Sequence, residues 1–250
     1  MTGKGDGPHA TGSQQRLFGP VVAAFRGRQL KPSVILLVSS VTLVTWKCFA
    51  SPQYLEPLAR RSGFADPQTA GAIGSFVVAL LLLGLLPALI VKLVFREKLA
   101  DYGLRLGNRR RTVRSFLICV PIVLLIAYLS AGSASLRSEY PINPLARTAG
   151  WGFALHALTY LLFYLGYEFQ FRGFVQHGLE ESMGATNALL VQVLASVLFH
   201  LGKPVSEIYA AIVAGLLWGL LANRTRSLLS GTLQHYLLGI SLDWFICHPW

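Results

Sequence analysis

The chain has 250 residues and a formal net charge of +11; 53% of its residues are hydrophobic and only 13% are charged, with a mean hydropathy of +0.52. This composition does not fit a soluble globular domain and predicts an integral membrane protein. The positive charge does not indicate nucleic-acid binding, because the basic residues lie in short loops beside apolar runs. Orientation toward the cytoplasm and contact with anionic lipid headgroups account for them better.

Residues 1–32 are rich in Gly, Gln and Arg and show no apolar core before a small-residue cleavage site. They predict a basic, flexible cytoplasmic tail and no secretory signal peptide. The apolar runs that follow predict an all-α bundle of about seven transmembrane spans, with a range of six to eight, forming one domain over residues 33–250. The predicted spans are approximately 33–50, 70–91, 115–131, 148–168, 185–199, 208–222 and 228–245.

The loop from Lys92 to Arg114 is the most basic part of the chain, with eight Lys and Arg residues against two acids. By the positive-inside tendency this loop faces the cytoplasm. Seven spans then place the N-terminus and the loops at 173–184 and 223–227 in the cytoplasm as well. We expect a multi-pass protein of a bacterial inner membrane in this orientation.

The three cysteines, Cys48, Cys119 and Cys247, are far apart and odd in number. They show no Cys-x-x-Cys spacing, so we interpret them as apolar filling residues rather than disulfides or metal ligands. Function is therefore expected to depend on other side chains.

Polar groups inside apolar helices are unfavourable, and here they are concentrated in the last hundred residues. Glu168 and Arg172 lie at the end of the fourth run, one helical turn apart and within pairing reach. His200 ends the fifth run, and His235 lies within the seventh. A carboxylate, two histidines and a guanidinium from three helices could converge on one polar cavity within the membrane. Water activation and oxyanion stabilisation need such groups.

Each of these polar residues also has a structural interpretation. Glu168 and Arg172 could be an ion pair that ties helices together, and His200 could mark a helix end at the interface. Glu207 suits the start of the sixth helix, where an acid complements the helix dipole. His156 has only aromatic and aliphatic neighbours and is interpreted as an interhelical hydrogen-bond donor.

Three short segments occur in a fixed order: Tyr-Glu-Phe-Gln-Phe-Arg at 167–172, Ser-Val-Leu-Phe-His at 196–200 and His-Tyr-Leu-Leu-Gly at 235–239. They resemble the Glu-Glu-x-x-x-Arg, Phe-x-x-x-His and His-x-x-x-Asn/Asp motifs of the CPBP family (CAAX proteases and bacteriocin-processing enzymes). This family includes the type II CAAX prenyl endopeptidases. Residues 95–104 resemble the loop that often precedes the family's core, so the resemblance covers about residues 95–245.

The segments depart from the family pattern at three positions. Tyr167 stands where the family has its first, catalytic Glu; Ser196 replaces the motif Phe, and Gly239 replaces Asn or Asp. A branch of the family has an aromatic–Glu pair, a His-x-Gly-Lys-Pro-x-x-Glu sequence and an acid after the last His. Residues 200–207 and Asp243 resemble that branch, so the departures resemble a coherent variant.

The resemblance implies an intramembrane endopeptidase of the glutamic type that cleaves a prenylated or membrane-anchored protein near its C-terminus. In this interpretation Glu168 and His200 activate water. His235 helps to bind the oxyanion, and Arg172 positions Glu168. Without the first Glu, the general base could instead be Glu207, or activity could be absent. The candidate supporting residues are Tyr167, Glu207, Gly239 and Asp243.

Two other functions stay open at this point. A catalytically inactive scaffold or bacteriocin-immunity-type protein would bind a membrane peptide in the same cavity, and Tyr167 and Gly239 favour it. A proton-coupled transporter would use Glu168 and the histidines as a proton relay, but the sequence shows no inverted repeat.

No metal-binding motif occurs around the two histidines. His200 and His235 are 35 residues apart, and the sequence has no His-Glu-x-x-His motif and no Cys/His cluster. Two histidines and a carboxylate could hold zinc, yet we expect no cofactor. The expected partners are a membrane protein or lipidated peptide as substrate and anionic lipids, with no nucleic acid.

Overall fold

The computed structural model describes residues 19–21 and 23–248, and the structure is 84% helical, with no strand in that part of the chain. The predicted all-α class is confirmed. Most of the predicted flexible tail, residues 1–18, lies outside the described residues. The assignment of residues 33–250 to one domain stays a prediction.

Nine helices carry the described part of the architecture. In chain order they are α1 (Gly27–Ala50), α2 (Pro52–Arg61), α3 (Pro67–Phe95), α4 (Arg109–Ser130), α5 (Ala134–Glu139), α6 (Trp151–Glu168), α7 (Gly178–Phe199), α8 (Val205–Thr225) and α9 (Leu229–Cys247). A π-helical segment, Phe169–His177, joins α6 to α7. Wide π-turns of this kind occur often at functional sites.

Five helices in the described part of the chain are long and apolar enough to cross a membrane. One is the 49-residue run that joins α6 and α7; if straight it would be roughly 74 Å long, more than twice the hydrocarbon thickness of a bilayer. It contains the fourth and fifth predicted spans, and Gly184 breaks it with φ 80° and ψ 157°. The seventh predicted span is the 19-residue helix α9, which is not among the five because Gln234, His235 and Asp243 lower its hydropathy.

The bundle has two distinct ends. Lys31, in the first turns of α1, pairs with Glu97 after α3 at 2.9 Å, and the backbone N–H of Asn108 donates to Thr225 O at 3.0 Å. We call this the basic end; it holds residues 26–31, 92–114 and 224–226. Near the other end of α1, Lys47 Nζ donates to Phe199 O at 3.1 Å, at the end of α7. We call this the opposite end; it holds residues 47–66, 137–147 and 200–207.

Two glycines bring α3 and α6 into close backbone contact. A Cβ on Gly166 would lie 2.6 Å from the carbonyl oxygen of Ala79, and a Cβ on Gly84 would lie 3.2 Å from Cα of Gly166. Small residues allow membrane helices to approach this closely. The contact fixes α6 directly before Tyr167 and Glu168.

Candidate active site

Two cavities of about 170 Å³ and 80 Å³ lie between the helices. Six residues line both of them, and we call these six the shared wall. The shared wall consists of Tyr140, Tyr160, Tyr164, His200, Glu207 and His235. Both predicted histidines and one predicted supporting acid, which are far apart in sequence, therefore meet at one place.

Glu168, which lines neither cavity, accepts a hydrogen bond from His235. The Nδ1 of His235 lies 2.7 Å from Glu168 Oε1, and Glu168 is only 1% exposed. A buried carboxylate at Nδ1 fixes the tautomer in which Nδ1 carries the proton. The second nitrogen, Nε2, is then free of a proton, and His235 lines both cavities.

Two aromatic rings hold the imidazole of His235 in place. Trp218 stacks on it with ring centroids 4.2 Å apart and an interplanar angle of 27°, and Tyr164 meets it edge-on at 4.7 Å. The indole N–H of Trp218 donates to Gln234 Oε1 at 3.3 Å. The ring orientation is therefore set by packing as well as by Glu168, as a preorganised site requires.

Arg172 forms the ion pair with Glu168 that the four-residue spacing predicts. Its Nη1 lies 3.2 Å from Glu168 Oε1, although no guanidinium nitrogen is aligned for a hydrogen bond with any of the described residues. The guanidinium instead packs against the rings of Tyr167, Phe171 and Trp218, 5.5 to 6.0 Å from their centroids. Arg172 thus stabilises the buried carboxylate by charge, inside an aromatic enclosure.

Glu168 and Arg172 line neither cavity. From the cavity inward, the order is His235, then Glu168, then Arg172. This geometry suits Glu168 to orienting His235, whereas the sequence predicted direct activation of water by Glu168. The difference arises because the carboxylate already accepts from His235 and pairs with Arg172.

His200 lies in the shared wall, at the C-terminal end of α7. Its Nδ1 lies 2.7 Å from the carbonyl oxygen of Ser196, one turn earlier, so Nδ1 carries the proton and donates. The ring of Tyr167 meets the imidazole at 6.0 Å, nearly perpendicular. His200 therefore also presents Nε2 as a hydrogen-bond acceptor.

Glu207 is the one carboxylate among the residues that line the two cavities. The hydroxyl of Tyr140 donates to its Oε1 at 2.7 Å, while Oε2 has no hydrogen-bond partner among the described residues. Burial, together with the nearby Glu207 carboxylate, raises the pKa of Tyr140 well above its ordinary value. The phenol therefore stays protonated and continues to donate to Glu207.

Two of the three departures from the family motifs contact each other. The Tyr167 hydroxyl and Ser196 Oγ share a buried hydrogen bond of 2.6 Å. The backbone carbonyl of the same Ser196 accepts from His200. A change at position 167 is thus matched by a change at position 196, which supports a coherent variant.

The third departure, Gly239, is explained by Tyr164. A Cβ built on Gly239 would lie 1.9 Å from the Tyr164 hydroxyl oxygen and 2.8 Å from its Cζ. The phenol therefore occupies space that a longer residue at position 239 would fill. It brings a hydroxyl into the shared wall, one helical turn from His235.

Replacing Gly239 by Ala should lower the free energy of unfolding by about 1 to 3 kcal/mol, because the new methyl group overlaps the Tyr164 ring. Thermal unfolding in detergent measures this loss, and adding Tyr164→Phe should restore part of it. Gly132→Ala is the matched control, since a Cβ there meets only Leu129 O at 3.5 Å. Equal stability of G239A and G132A would contradict the assignment.

Asp243 does not reach the cavities. Its Oδ2 lies 2.8 Å from His156 Nε2, and both side chains are fully buried between α6 and α9. This is the interhelical hydrogen bond expected for His156. The structure therefore separates Asp243 from the other candidate residues and gives it a role in packing.

The sequence interpretation did not single out Tyr140, Tyr160, Tyr164 and Trp218, which all line the larger cavity. The sequence does contain a pattern that could have indicated Tyr160 and Tyr164. His156, Tyr160, Tyr164 and Glu168 recur every four residues, which places polar tips along one face of α6. Trp218 has no comparable signal.

Across the described residues, no group of three or more His, Cys, Asp or Glu side chains could hold a metal ion. His200, Glu207 and His235 line a common wall, but they do not form such a group. The expectation that no cofactor is needed stays a prediction.

Residues 148–240 match the family model of type II CAAX prenyl endopeptidase Rce1-like proteins. The match includes the segments 167–172, 196–200 and 235–239, and it confirms the resemblance to the CPBP family. No curated protein and no solved structure matches the chain. The family match indicates a resemblance to proteases of the CAAX type, and the apolar helices indicate an integral membrane protein.

Proposed function

We propose that this protein is an intramembrane endopeptidase that hydrolyses a peptide bond in a prenylated or otherwise membrane-anchored protein. The observation that carries the proposal is the arrangement of His235 in the shared wall, with buried Glu168 behind it and His200 and Glu207 beside it. In many hydrolases a buried carboxylate orients a histidine that faces the substrate cavity. That histidine then acts as the general base and the general acid.

In the proposed reaction His235 Nε2 takes a proton from water, and the resulting hydroxide attacks the carbonyl carbon of the scissile bond. Glu168 stays ionised and stabilises the imidazolium that forms. His235 then returns the proton to the amide nitrogen as the carbon–nitrogen bond breaks. The second hydrogen of the water is accepted by His200 Nε2 or by the Glu207 carboxylate, and the Tyr164 hydroxyl donates to the oxyanion.

We also propose the membrane, the orientation and the lipid contacts of the protein. The chain would lie in a bacterial inner membrane with its N-terminus in the cytoplasm and with anionic lipids against its basic end. It would bind no nucleic acid. No cofactor enters the proposed reaction.

Cleavage of a fluorescence-quenched prenylated CAAX peptide by the purified protein in liposomes tests the proposal. Wild-type protein should cleave this probe, and Glu168→Gln and His200→Ala should each reduce the rate by at least about 10-fold. Full cleavage by both variants would contradict the proposed site.

A catalytically inactive scaffold is the second candidate, because Tyr167 occupies the position of the family's first Glu and its hydroxyl is bound to Ser196. Such a protein would bind the prenylated probe without cleaving it. Binding that persists unchanged in His235→Ala, together with no cleavage by the wild type, would favour this function.

A further inference from the structure

A groove on the outside of α4 lies at the basic end, away from both cavities. It is lined by Arg109, Arg110, Val113, Arg114, Leu117 and Ile118, and all six are exposed. Successive helical residues are about 100° apart, so Arg110, Arg114 and Leu117 lie within about 60° of one another. The groove therefore brings guanidinium groups and apolar side chains together on one face of a single helix. We call Arg109, Arg110 and Arg114 the groove arginines.

The groove arginines do not hold the fold together, although other arginines at the same end do. Arg111 Nη1 donates to Arg224 O at 3.1 Å, and Arg105 Nε donates to Arg226 O at 2.9 Å. The side chains of the groove arginines make no hydrogen bond and no ion pair with any residue that the structure describes. Their three positive charges are therefore free to bind a ligand.

The exposed side of α4 next to the groove arginines is apolar. Val113, Leu117, Ile118, Ile122 and Leu125 are each more than half exposed. The rise from the first of them to the last is about 18 Å, close to the roughly 15 Å of one leaflet of the hydrocarbon core. Because α4 is long and apolar enough to span a membrane, this stripe lies against acyl chains and the groove arginines lie at headgroup level.

The charges in the groove favour one class of headgroup. Arginine binds phosphate oxygens through paired N–H donors. No Asp or Glu lines the groove, so the ammonium of a zwitterionic headgroup would meet three guanidinium groups and no carboxylate. An anionic headgroup brings no such cation. The groove therefore distinguishes anionic from zwitterionic phospholipids.

We propose that the groove binds one anionic phospholipid, with its phosphate at the groove arginines and an acyl chain along the apolar stripe that begins at Val113. A free phosphate ion would use the arginines alone and leave the apolar half of the groove uncovered. A phospholipid matches both halves at the spacing that a membrane imposes. This site lies outside the two cavities and does not depend on the proposed proteolytic function.

Native mass spectrometry of the purified, delipidated protein in detergent tests the site. The protein is titrated with phosphatidylglycerol or with phosphatidylcholine that carries the same acyl chains. Wild type should bind phosphatidylglycerol at least about fivefold more tightly than phosphatidylcholine. Arg110→Gln combined with Arg114→Gln should weaken phosphatidylglycerol binding about 25-fold, or about 5-fold for each charge removed.

Arg60→Gln combined with Arg61→Gln is the matched control, since these two exposed arginines lie at the opposite end. R60Q/R61Q should keep the wild-type preference. R110Q/R114Q should unfold at the wild-type temperature in lipid-free detergent, because neither side chain bonds to a described residue. Thermal unfolding thus shows whether a loss of lipid is a loss of fold.

Two results would overturn the proposal. One is an equal affinity of the wild type for the two lipids, or an unchanged preference in R110Q/R114Q. The other is displacement of phosphatidylglycerol by an equal concentration of inorganic phosphate, which would show a site for a free anion. Lipid binding does not require catalysis, so neither result depends on whether the protein cleaves the prenylated probe.

Discussion

Replacing His235 by Ala is expected to lower the rate of probe hydrolysis by about 10²- to 10⁴-fold, the usual contribution of a general acid–base group. His235 combines contact with both cavities and a 2.7 Å bond to a buried carboxylate. The variant leaves the ion pair of Glu168 and Arg172 in place. Rates are measured with the quenched prenylated peptide in liposomes.

His248→Ala is the matched control for this experiment. His248 follows α9, the helix that carries His235, and its ring stacks on Trp244, outside both cavities. H248A should keep the wild-type rate. An H235A rate within about threefold of the wild type would exclude His235 as the acid–base group, since general acid–base catalysis contributes far more than that.

Replacing Glu168 by Ala should destabilise the protein by about 3 to 5 kcal/mol, because it leaves the buried guanidinium of Arg172 without a counter-charge. Both side chains are about 1% exposed. Adding Arg172→Met removes the uncompensated charge and should restore most of the stability. The free energy of unfolding in detergent measures both effects.

Hydrolysis by the double variant separates the structural role of Glu168 from its functional role. E168A/R172M should fold but should hydrolyse the probe about 10- to 100-fold more slowly than the wild type, because His235 has lost the carboxylate that orients it. Glu180→Ala with Arg226→Ala is the matched control, since this pair is bonded at 2.6 Å at the basic end. A stable and fully active E168A/R172M would show that the ion pair only ties the helices together.

The sequence was informative where chemistry and spacing are local. Polar residues at 168, 172, 200 and 235 interrupt apolar runs, and the structure brings all four to one region. Glu168 and Arg172 pair as their spacing predicts. The sequence did not show that Asp243 bonds to His156 outside the cavities, because the two residues are 87 positions apart.

The order of residues from the cavity inward could not be predicted from spacing. Whether Glu168 or His235 faces the cavity depends on the rotation of α6 against α9, which the close contact of Gly166 with α3 helps to set. Likewise, Gly239 looked like the loss of a motif residue. Only the packing of Tyr164 against that position shows what fills the space.

The hydropathy pattern did not show how the fourth and fifth predicted spans are connected. The fourth and fifth apolar runs lie in one helical run, because the π-helical segment Phe169–His177 continues the helix between them. Gly184 then interrupts the helical backbone. Helix α9 carries the polar residues of the site and so loses the apolar character by which a span is recognised.

If this protein hydrolyses a membrane-anchored peptide with water activated by His235, one oxygen atom of that water must enter each new peptide C-terminus. The most direct measurement is mass spectrometry of new peptide C-termini in membranes incubated in water labelled with oxygen-18, comparing wild type with H235A. C-termini that carry one oxygen-18 atom should appear in the wild type and be absent in H235A. The same labelled C-termini in both samples, or none in either, would contradict this role of His235.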